Sequence, residues 1–371
     1  MTQSISEVAD EPTEPVDPVT PVVTRRRPFP LTSGLILIAA LGIATLYATV
    51  TQSDYNIYLF NTFLLTCIGA LAMNLLMGTT GLVSVGSAGF LAAGAYSAVF
   101  LDREHLPFVV AVIGGGLVAA VLGVIVALPA IRLRGLALGL GTISVHYVVV
   151  FAVDQYQQRT PGAGAVGFHL PSLFGTTVGV QDKWAWLLVG VVAVAIILVV
   201  LLSSGRTGRA LRLMRDQETI AATQAVPVTG YKMMIFGISS FMFGVEGALA
   251  AYVAGQVSSD QFTLTLALQF LAMVMVGGLD SVWGAAFGAA IFVALPYATA
   301  DTVSSLLGAH QASVNGAKYG VIVYAVIVVA FIVTAPSGLV GLFQRLWRLV
   351  SRWIPARRSS RPAGGASGAG E

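Results

Sequence analysis

Ten runs of predominantly apolar residues recur along this chain of 371 residues, and they decide its fold class. A helix needs about 20 mostly apolar residues to cross a bilayer, and most of these runs approach that length. The runs are Gly34–Val50, Ile57–Met77, Ser84–Leu101, Phe108–Leu128, Gly135–Val153, Trp184–Leu202, Met233–Ala254, Leu264–Gly277, Trp283–Thr299 and Tyr319–Val333. We therefore predict an all-α, polytopic membrane bundle of about ten spans. The third, eighth and ninth runs are short or glycine-rich, so eight full spans with re-entrant half-helices is the alternative.

The composition supports a chain that faces lipid over most of its surface. Only 10% of the residues are charged and 56% are hydrophobic, with a mean hydropathy of +0.83. A soluble domain carries roughly 25% charged residues. The 41 glycines fit the same interpretation, because small residues let membrane helices approach closely.

The two ends of the chain differ from this apolar body. Residues 1–32 are rich in Pro, Thr and acids before Arg25–Arg27, which predicts a disordered tail rather than a cleaved signal peptide. The transmembrane domain is expected over residues 33–335, and residues 336–371 form a basic tail. The single cysteine, Cys67, excludes a disulfide framework.

The distribution of Arg and Lys predicts the orientation, because cationic loops stay in the cytoplasm. With ten spans and both termini inside, 16 of the 20 basic residues fall on the cytoplasmic side. Only Arg103, Arg159, Lys183 and Lys318 are left outside.

The sequence shows none of the residue arrangements that would predict an enzyme. None of the three lysines follows a glycine, so there is no Gly-Lys-Ser/Thr phosphate loop. The four histidines are scattered, without metal-ligand spacing. We expect no catalytic residues, no metal and no cofactor bound by this chain.

Glu246 is the one carboxylate predicted in the middle of a span. An ionisable group at membrane depth is costly and is a functional candidate by default. The alternative is a hydrogen-bonded or protonated acid packed between helices. His146-Tyr147 in the fifth run has a weaker claim, since an interhelical hydrogen bond is the favoured explanation over a substrate contact.

The segment 203–232 is too polar to span and too long for a turn. Its apolar spacing predicts a helix from about Arg206 to Val226, ended by Pro227 and Gly230. One interpretation is an amphipathic helix on anionic lipid. The other is a coupling helix, which transmits the motion of a partner protein to the spans.

Several motifs in the same order give the chain a family resemblance. They are Asn74-Leu75-Leu76-Met77-Gly78, Gly81-Leu82-Val83-Ser84-Val85-Gly86, Phe90, Gly94-Ala95-Tyr96, Leu133-Arg134-Gly135-Leu136, Gly208-Arg209-Ala210-Leu211-Arg212, Tyr231-Lys232, Gly277-Gly278-Leu279-Asp280-Ser281-Val282-Trp283-Gly284 and Pro336-Ser337-Gly338-Leu339. Together they resemble the permeases of branched-chain amino-acid ABC importers, in which the penultimate motif reads G-G-L-G-S-L-W-G. Urea and amide permeases are close to the same pattern.

This resemblance implies a permease subunit of the bacterial inner membrane that moves small polar solutes, with branched-chain amino acids first among them. It also implies a second permease, two ATP-binding subunits that hold ATP and Mg²⁺, and an external solute-binding protein. The residues expected to couple to the ATPase are Arg206, Gly208, Arg209, Arg212, Asp216, Glu218, Ala221, Ala222 and Ala225. The candidates for the translocation path are Ser84, Gly86, Ser87, Tyr147, Glu246, Gly277, Gly278 and Ser281. An ion-coupled secondary transporter and a membrane scaffold without transport activity are the alternatives.

The sequence departs from the family pattern at several places, among them Pro227 shortly after Ala225. Ser87 stands where a histidine is usual, Ala225 where a glycine is usual, and Tyr147 where many relatives have a carboxylate. Glu246 stands where a small residue is usual. These departures concern the solute more than the architecture.

An internal similarity links two glycine-rich stretches. Gly81–Ala93 and Gly278–Ala290 share the pattern G-L-x-S-V-x-x-A-x-F-x-A-A. Either this is a coincidence of low complexity, or the two stretches are equivalent elements of the translocation path.

Overall fold

The computed structural model describes residues 31–51, 54–130, 135–160, 164–168, 172–173, 176–177, 181–224 and 226–307, with the single positions 326, 329, 330 and 338. These residues form an almost entirely helical bundle, as predicted. The α-helices are α1 Leu31–Thr51, α2 Asp54–Met73, α3 Ser87–Arg103, α4 Phe108–Ala130, α5 Leu136–Arg159, α6 Gln181–Ser203, α7 Gly205–Asp216, α8 Glu218–Thr223, α9 Val228–Ala254, α10 Leu264–Gly277 and α11 Val282–Leu307. A π turn, Asn74–Thr79, continues α2, and a 3₁₀ turn, Ser259–Gln261, precedes α10.

Seven helical segments of the described chain are long and apolar enough to cross a membrane. The predicted count of ten is not confirmed. Helix α3 has 17 residues, and the apolar part of α11, Val282–Ala298, is also short for a span. The tenth predicted run, Tyr319–Val333, lies outside the described residues except for three positions.

Helices α3, α4 and α9 form the tightest part of the bundle, and glycines make their approach possible. A methyl group at Gly94 of α3 would overlap the backbone of Gly244 on α9. A methyl at Gly115 of α4 would overlap the Gly94 carbonyl oxygen, so the three backbones touch at one crossing. Buried apolar side chains of all three helices belong to the hydrophobic core.

Two short strand pairs lie in the loops. β1 Val166–Gly167 pairs antiparallel with β4 Gln256–Val257, and β2 Ser172–Leu173 pairs with β3 Thr176–Thr177. The β1–β4 pair ties the loop after α5 to the end of α9. We call this side of the bundle the β1–β4 end.

The predicted single helix Arg206–Val226 is two helices in the structure. Gln217 is extended, with φ −153° and ψ 91°, so α7 stops at Asp216 and α8 begins at Glu218. Helix α8 ends at Thr223, earlier than predicted. Because of this break, the two helices can contact different parts of the bundle. Helix α7 contacts the π turn after α2 and the turn after α10, whereas α8 contacts α9.

Candidate functional site at the α7 face

Three segments distant in sequence meet at the end of the bundle opposite the β1–β4 pair. They are the α7–α8 segment (Gly205–Thr223), the stretch Asn74–Gly81 that contains the π turn, and the turn Gly278–Ser281 between α10 and α11. We call this region the α7 face. Hydrogen bonds and one ion pair join all three segments.

Asn74 connects the π turn to the turn between α10 and α11. Its side-chain oxygen accepts a hydrogen bond from the Asp280 backbone N–H at 2.9 Å, and its side-chain nitrogen donates to the Ser281 carbonyl oxygen at 3.0 Å. The side chain is 1% exposed. A buried amide that satisfies two backbone groups fixes their relative position, because either group left unpaired would cost free energy.

Asp280 connects the turn between α10 and α11 to α7. Its Oδ2 accepts a hydrogen bond from Arg212 Nε at 3.2 Å, and this forms an ion pair with little exposure of either side chain. The same arginine donates through Nη2 to the Ser203 carbonyl oxygen at 3.0 Å, at the end of α6. Asp280 has a φ of +58°, a left-handed conformation that is uncommon outside glycine.

Arg215 connects α7 to the π turn. Its Nη1 donates to the Gly78 carbonyl oxygen, and its side chain packs against Gly81. Gly81 adopts a φ of +71°, as the tight turn requires. A methyl group at Gly78 would overlap Asn74, so this glycine leaves room for the bridging amide.

A further motif of the sequence reaches the same place. Gly338 packs against the backbone of Gly277 and Gly278, closely enough that a methyl group at Gly338 would lie 2.6 Å from the Gly278 Cα. Gly338 of the closing motif therefore contacts the turn between α10 and α11.

Helix α8 is held by an ion pair of its own. Lys232 Nζ donates to Glu218 Oε1 at 2.7 Å, and the lysine side chain is 3% exposed. Glu218, Lys232, Arg215 and Thr80 are among the residues around a cavity of about 220 Å³ beneath α8. The cavity separates the α7–α8 segment from the start of α5.

The predicted coupling residues divide between two faces of this segment. Those that face away from the bundle are Arg206, Arg209, Asp216 and Ala222. Those turned to the chain itself are Gly208, Arg212, Glu218 and Ala221. Ala225 lies outside the described residues. A side chain at Gly208 would overlap the Ser203 backbone, so this glycine sets the corner between α6 and α7.

Two of the predicted path residues, Ser84 and Gly86, lie in the irregular stretch before α3, and a third, Ser87, is the first residue of that helix. Ser84 and Ser87 are each 1% exposed, and a methyl at Gly86 would lie 2.9 Å from the Thr142 carbonyl oxygen on α5. The Thr142 hydroxyl accepts from the Val85 N–H at 2.9 Å and donates to the Gly139 carbonyl at 2.8 Å. Thr142 therefore holds the irregular stretch before α3 against α5.

Glu246 is separate from that stretch, between α9, α2 and α10. It is 3% exposed, and its Oε2 has no hydrogen-bond partner among the described residues. A methyl group at Gly69 of α2 would overlap the carboxyl group and would lie 2.5 Å from the Phe270 ring on α10. The prediction of a mid-span carboxyl buried within the helices matches this position.

Tyr147 lies on the free side of α5, with 57% of its surface exposed. With Phe151, Asp154, Ser259 and Asp260 it borders a cavity of about 320 Å³ near the β1–β4 end. His146 beside it is buried, and its Nδ1 has no partner among the described residues. Within those residues, no three His, Cys, Asp or Glu side chains are grouped closely enough to hold a metal ion.

The two similar stretches differ in conformation. Ser281 Oγ accepts from the Gly284 N–H at 3.1 Å as α11 begins, whereas the stretch after Gly81 stays non-helical until Ser87. Phe90 is 2% exposed and its counterpart Phe287 is 50% exposed. Equivalence of the two stretches remains a hypothesis.

Sequence reasoning singled out neither Asn74, Asp280 nor Thr142 as site residues. For Asp280 a signal was present, since the family pattern has glycine at that position of the motif. An aspartate in place of a glycine at a turn, with arginines on a nearby predicted helix, indicates an ion pair that tolerates a left-handed backbone. Asn74 and Thr142 carry no comparable signal.

The comparisons with known proteins agree with this architecture. The family described as branched-chain amino acid transport system / permease component matches residues 55–332. The high-affinity branched-chain amino acid transport system permease protein LivM of Salmonella typhimurium is 28% identical over 284 residues, which are 70% of this chain and 67% of the relative. The protein of the same name from Escherichia coli is 27% identical over 248 residues, 60% of this chain and 58% of the relative.

No solved structure matches the chain significantly. The family match covers well over half of the sequence, including every segment of the α7 face except Gly338. The predicted resemblance is therefore confirmed: the chain belongs to the permease component family of branched-chain amino acid transport systems, the membrane subunits of ABC importers.

Proposed function

We propose that this permease carries branched-chain amino acids across the bacterial inner membrane, driven by ATPase subunits that dock on the α7 face. The observation that carries the proposal is the two-sided character of the α7–α8 segment. Its inner side is fixed to the bundle by Arg212, Arg215 and Glu218, while Arg206 and Arg209 face outward. A segment fixed on one side and exposed on the other suits the transmission of a partner's movement.

The outward side has the chemistry of a docking surface. Arg206 and Arg209 of α7 are exposed, and Ile220 of α8 is 44% exposed. Interfaces commonly combine arginine with an apolar anchor. We propose that the arginines meet acidic groups of the ATPase and that Ile220, next to Ala222, enters an apolar groove.

The complete importer would contain a second, similar permease, two ATP-binding subunits and an external binding protein. ATP and Mg²⁺ would act on the ATP-binding subunits, and this chain would bind no cofactor. Both termini and the α7 face would lie in the cytoplasm, in agreement with the clustering of Arg and Lys on that side of the predicted topology. The β1–β4 end would then receive solute from the binding protein.

Support for the substrate comes from the names of both relatives, which are branched-chain amino acid permeases. Urea and short-chain amides are the competing solutes. Uptake of [³H]leucine in cells that depend on this chain tests the choice. We expect competition by isoleucine and valine and none by urea, and the reverse pattern would reassign the solute.

Co-purification in mild detergent tests the docking surface. A tag on this chain should recover ATPase subunits from the native host, and Arg209→Glu should reduce that recovery about tenfold because it reverses a central interface charge. Arg103→Glu, an exposed arginine at the far end of α3, is the matched control. Equal recovery with Arg209→Glu and wild type would contradict docking at Arg209. Leucine uptake that survives ATP depletion with the proton gradient intact would contradict the ATPase-driven mechanism.

A further inference from the structure

We propose that the ion pair between Arg212 and Asp280 is the mechanical link through which α7 moves the α10–α11 hairpin during transport. Both are positioning residues: they act through the helices that they connect. The inference rests on the proposed docking of ATPase subunits at α7, and it names the residues that carry the movement inward from there.

The pair lies between the docking segment and the hairpin. Arg212 is on the inner side of α7, and Asp280 is on the turn that joins α10 to α11. Their side chains are 17% and 6% exposed, so water screens the pair weakly. Arg212 also holds the end of α6 at Ser203, which gives α7 a firm base on one side of the link.

The hairpin that would be moved is rigid. A methyl at Gly277 on α10 would overlap the Gly284 carbonyl on α11, and a methyl at Gly288 would overlap the Met273 carbonyl. Backbones in such close contact allow little sliding. A force applied to Asp280 would therefore displace α10 and α11 together.

Helix α10 of the hairpin contacts the centre of the bundle through Phe270. Phe270 of α10 packs against Phe243 of α9, with ring centroids 5.6 Å apart. It also lies next to the position of the Glu246 carboxyl, since a methyl at Gly69 would meet both groups. Movement of α10 would thus change the surroundings of the buried carboxyl in the middle of the bundle.

The backbone of Asp280 has an uncommon conformation. Its φ of +58° lies in the left-handed region, which glycine adopts without cost and other residues adopt only at a penalty. Because Asp280 holds this conformation at a backbone cost, its hydrogen bonds and its ion pair with Arg212 have to fix it in place. Asn74 supports the same residue by accepting from its backbone N–H.

The experiment compares variants that separate charge from backbone strain. Asp280→Asn removes the charge and keeps the size, while Asp280→Gly removes the side chain and relieves the backbone. In the assembled complex we expect both to retain ATPase subunits and ATP hydrolysis within about twofold of wild type, and to lower [³H]leucine transported per ATP about tenfold, within the range of allosteric coupling. Arg212→Gln should have the same effect, and Arg212→Lys a smaller one.

A double-mutant cycle makes the test specific. If the two side chains act as one link, Arg212→Gln combined with Asp280→Asn should impair transport no more than either change alone. Additive losses would overturn the proposal. Glu104→Gln, an exposed acid at the far end of α3, is the control for loss of a carboxylate.

The outcomes distinguish this inference from the proposed function. If wild-type protein recovers no ATPase subunits, the proposed function fails first. If the wild-type complex is intact and Asp280→Gly transports leucine with normal yield per ATP, the link is refuted while the proposed function stands. Loss of ATPase subunits from Asp280→Asn would also overturn the link, because Asp280 would then serve docking.

Discussion

Glu246 illustrates, at the scale of one residue, the free-energy cost of burying a carboxyl group inside a membrane bundle. Its carboxyl group is buried among α2, α9 and α10, and one oxygen lacks a partner among the described residues. Burying a polar group without a hydrogen bond costs about 1–3 kcal/mol in proteins. A residue kept at that cost inside a permease is expected to serve transport.

We therefore expect Glu246→Gln to keep the fold and to impair transport. The amide keeps the size of the side chain and removes the ionisable group, so thermal stability in detergent should equal or exceed that of wild type. Initial rates of [³H]leucine uptake should fall several-fold, and their dependence on pH between about 5 and 8 should flatten. Unchanged rates across that range would remove Glu246 from the mechanism.

Single residues also show where prediction from sequence reaches its limit. Glu246 was recognisable because an acid inside an apolar run is conspicuous without any neighbour. Arg212 and Asp280 are 68 positions apart, and no periodicity connects a polar loop to a turn between two later helices. The pair depends on how α6, α7 and α10 pack, so only the folded chain reveals it.

At the scale of elements, the crossing of α3, α4 and α9 depends on glycines with backbone neighbours. Gly94 lies against the Gly244 backbone, and no flexible side chain is there to move aside. By contrast, a methyl at Gly190 of α6 would meet nothing within 4 Å.

This contrast gives a matched pair of substitutions. Gly94→Ala should destabilise the protein by about 1–3 kcal/mol through overpacking. Gly190→Ala should be neutral or slightly stabilising, because alanine favours a helix over glycine. Thermal denaturation of the detergent-solubilised protein measures both, and equal melting temperatures for the two variants would show that the crossing tolerates expansion.

Element boundaries followed from the sequence where hydrophobicity alone sets them. The prediction Leu264–Gly277 coincides with α10, and Phe108–Leu128 ends two residues before α4 does. Predictions were less accurate where tertiary contacts decide. Thr142 binds the backbone of Val85 in a non-helical stretch, so α3 begins at Ser87, later than the predicted Ser84. The separate attachments of α7 and α8 divide a segment whose spacing indicated one helix.

At the scale of the whole molecule, the two ends of the bundle should lie on opposite sides of the membrane. Arg209 is exposed on α7, and Glu104 is exposed just after α3 at the other end. The native Cys67 is fully buried and should react little.

Cysteine labelling in intact cells tests this orientation. With a membrane-impermeant maleimide, E104C should be labelled at once and R209C only after the membrane is opened. Arginine-rich loops stay on the cytoplasmic side, which is the reason for the expectation. Immediate labelling of R209C would reverse the topology and leave the proposed ATPase without access to α7.

The amide of Asn74 has a consequence for how this permease can change shape. It serves the Asp280 N–H and the Ser281 carbonyl at the same time, and both belong to one turn. Drawing that turn away from α2 loses two hydrogen bonds together and strands buried polar groups on both sides. Such a junction resists small displacements and gives way as a unit, so the cycle should pass between discrete states rather than through a continuum of openings.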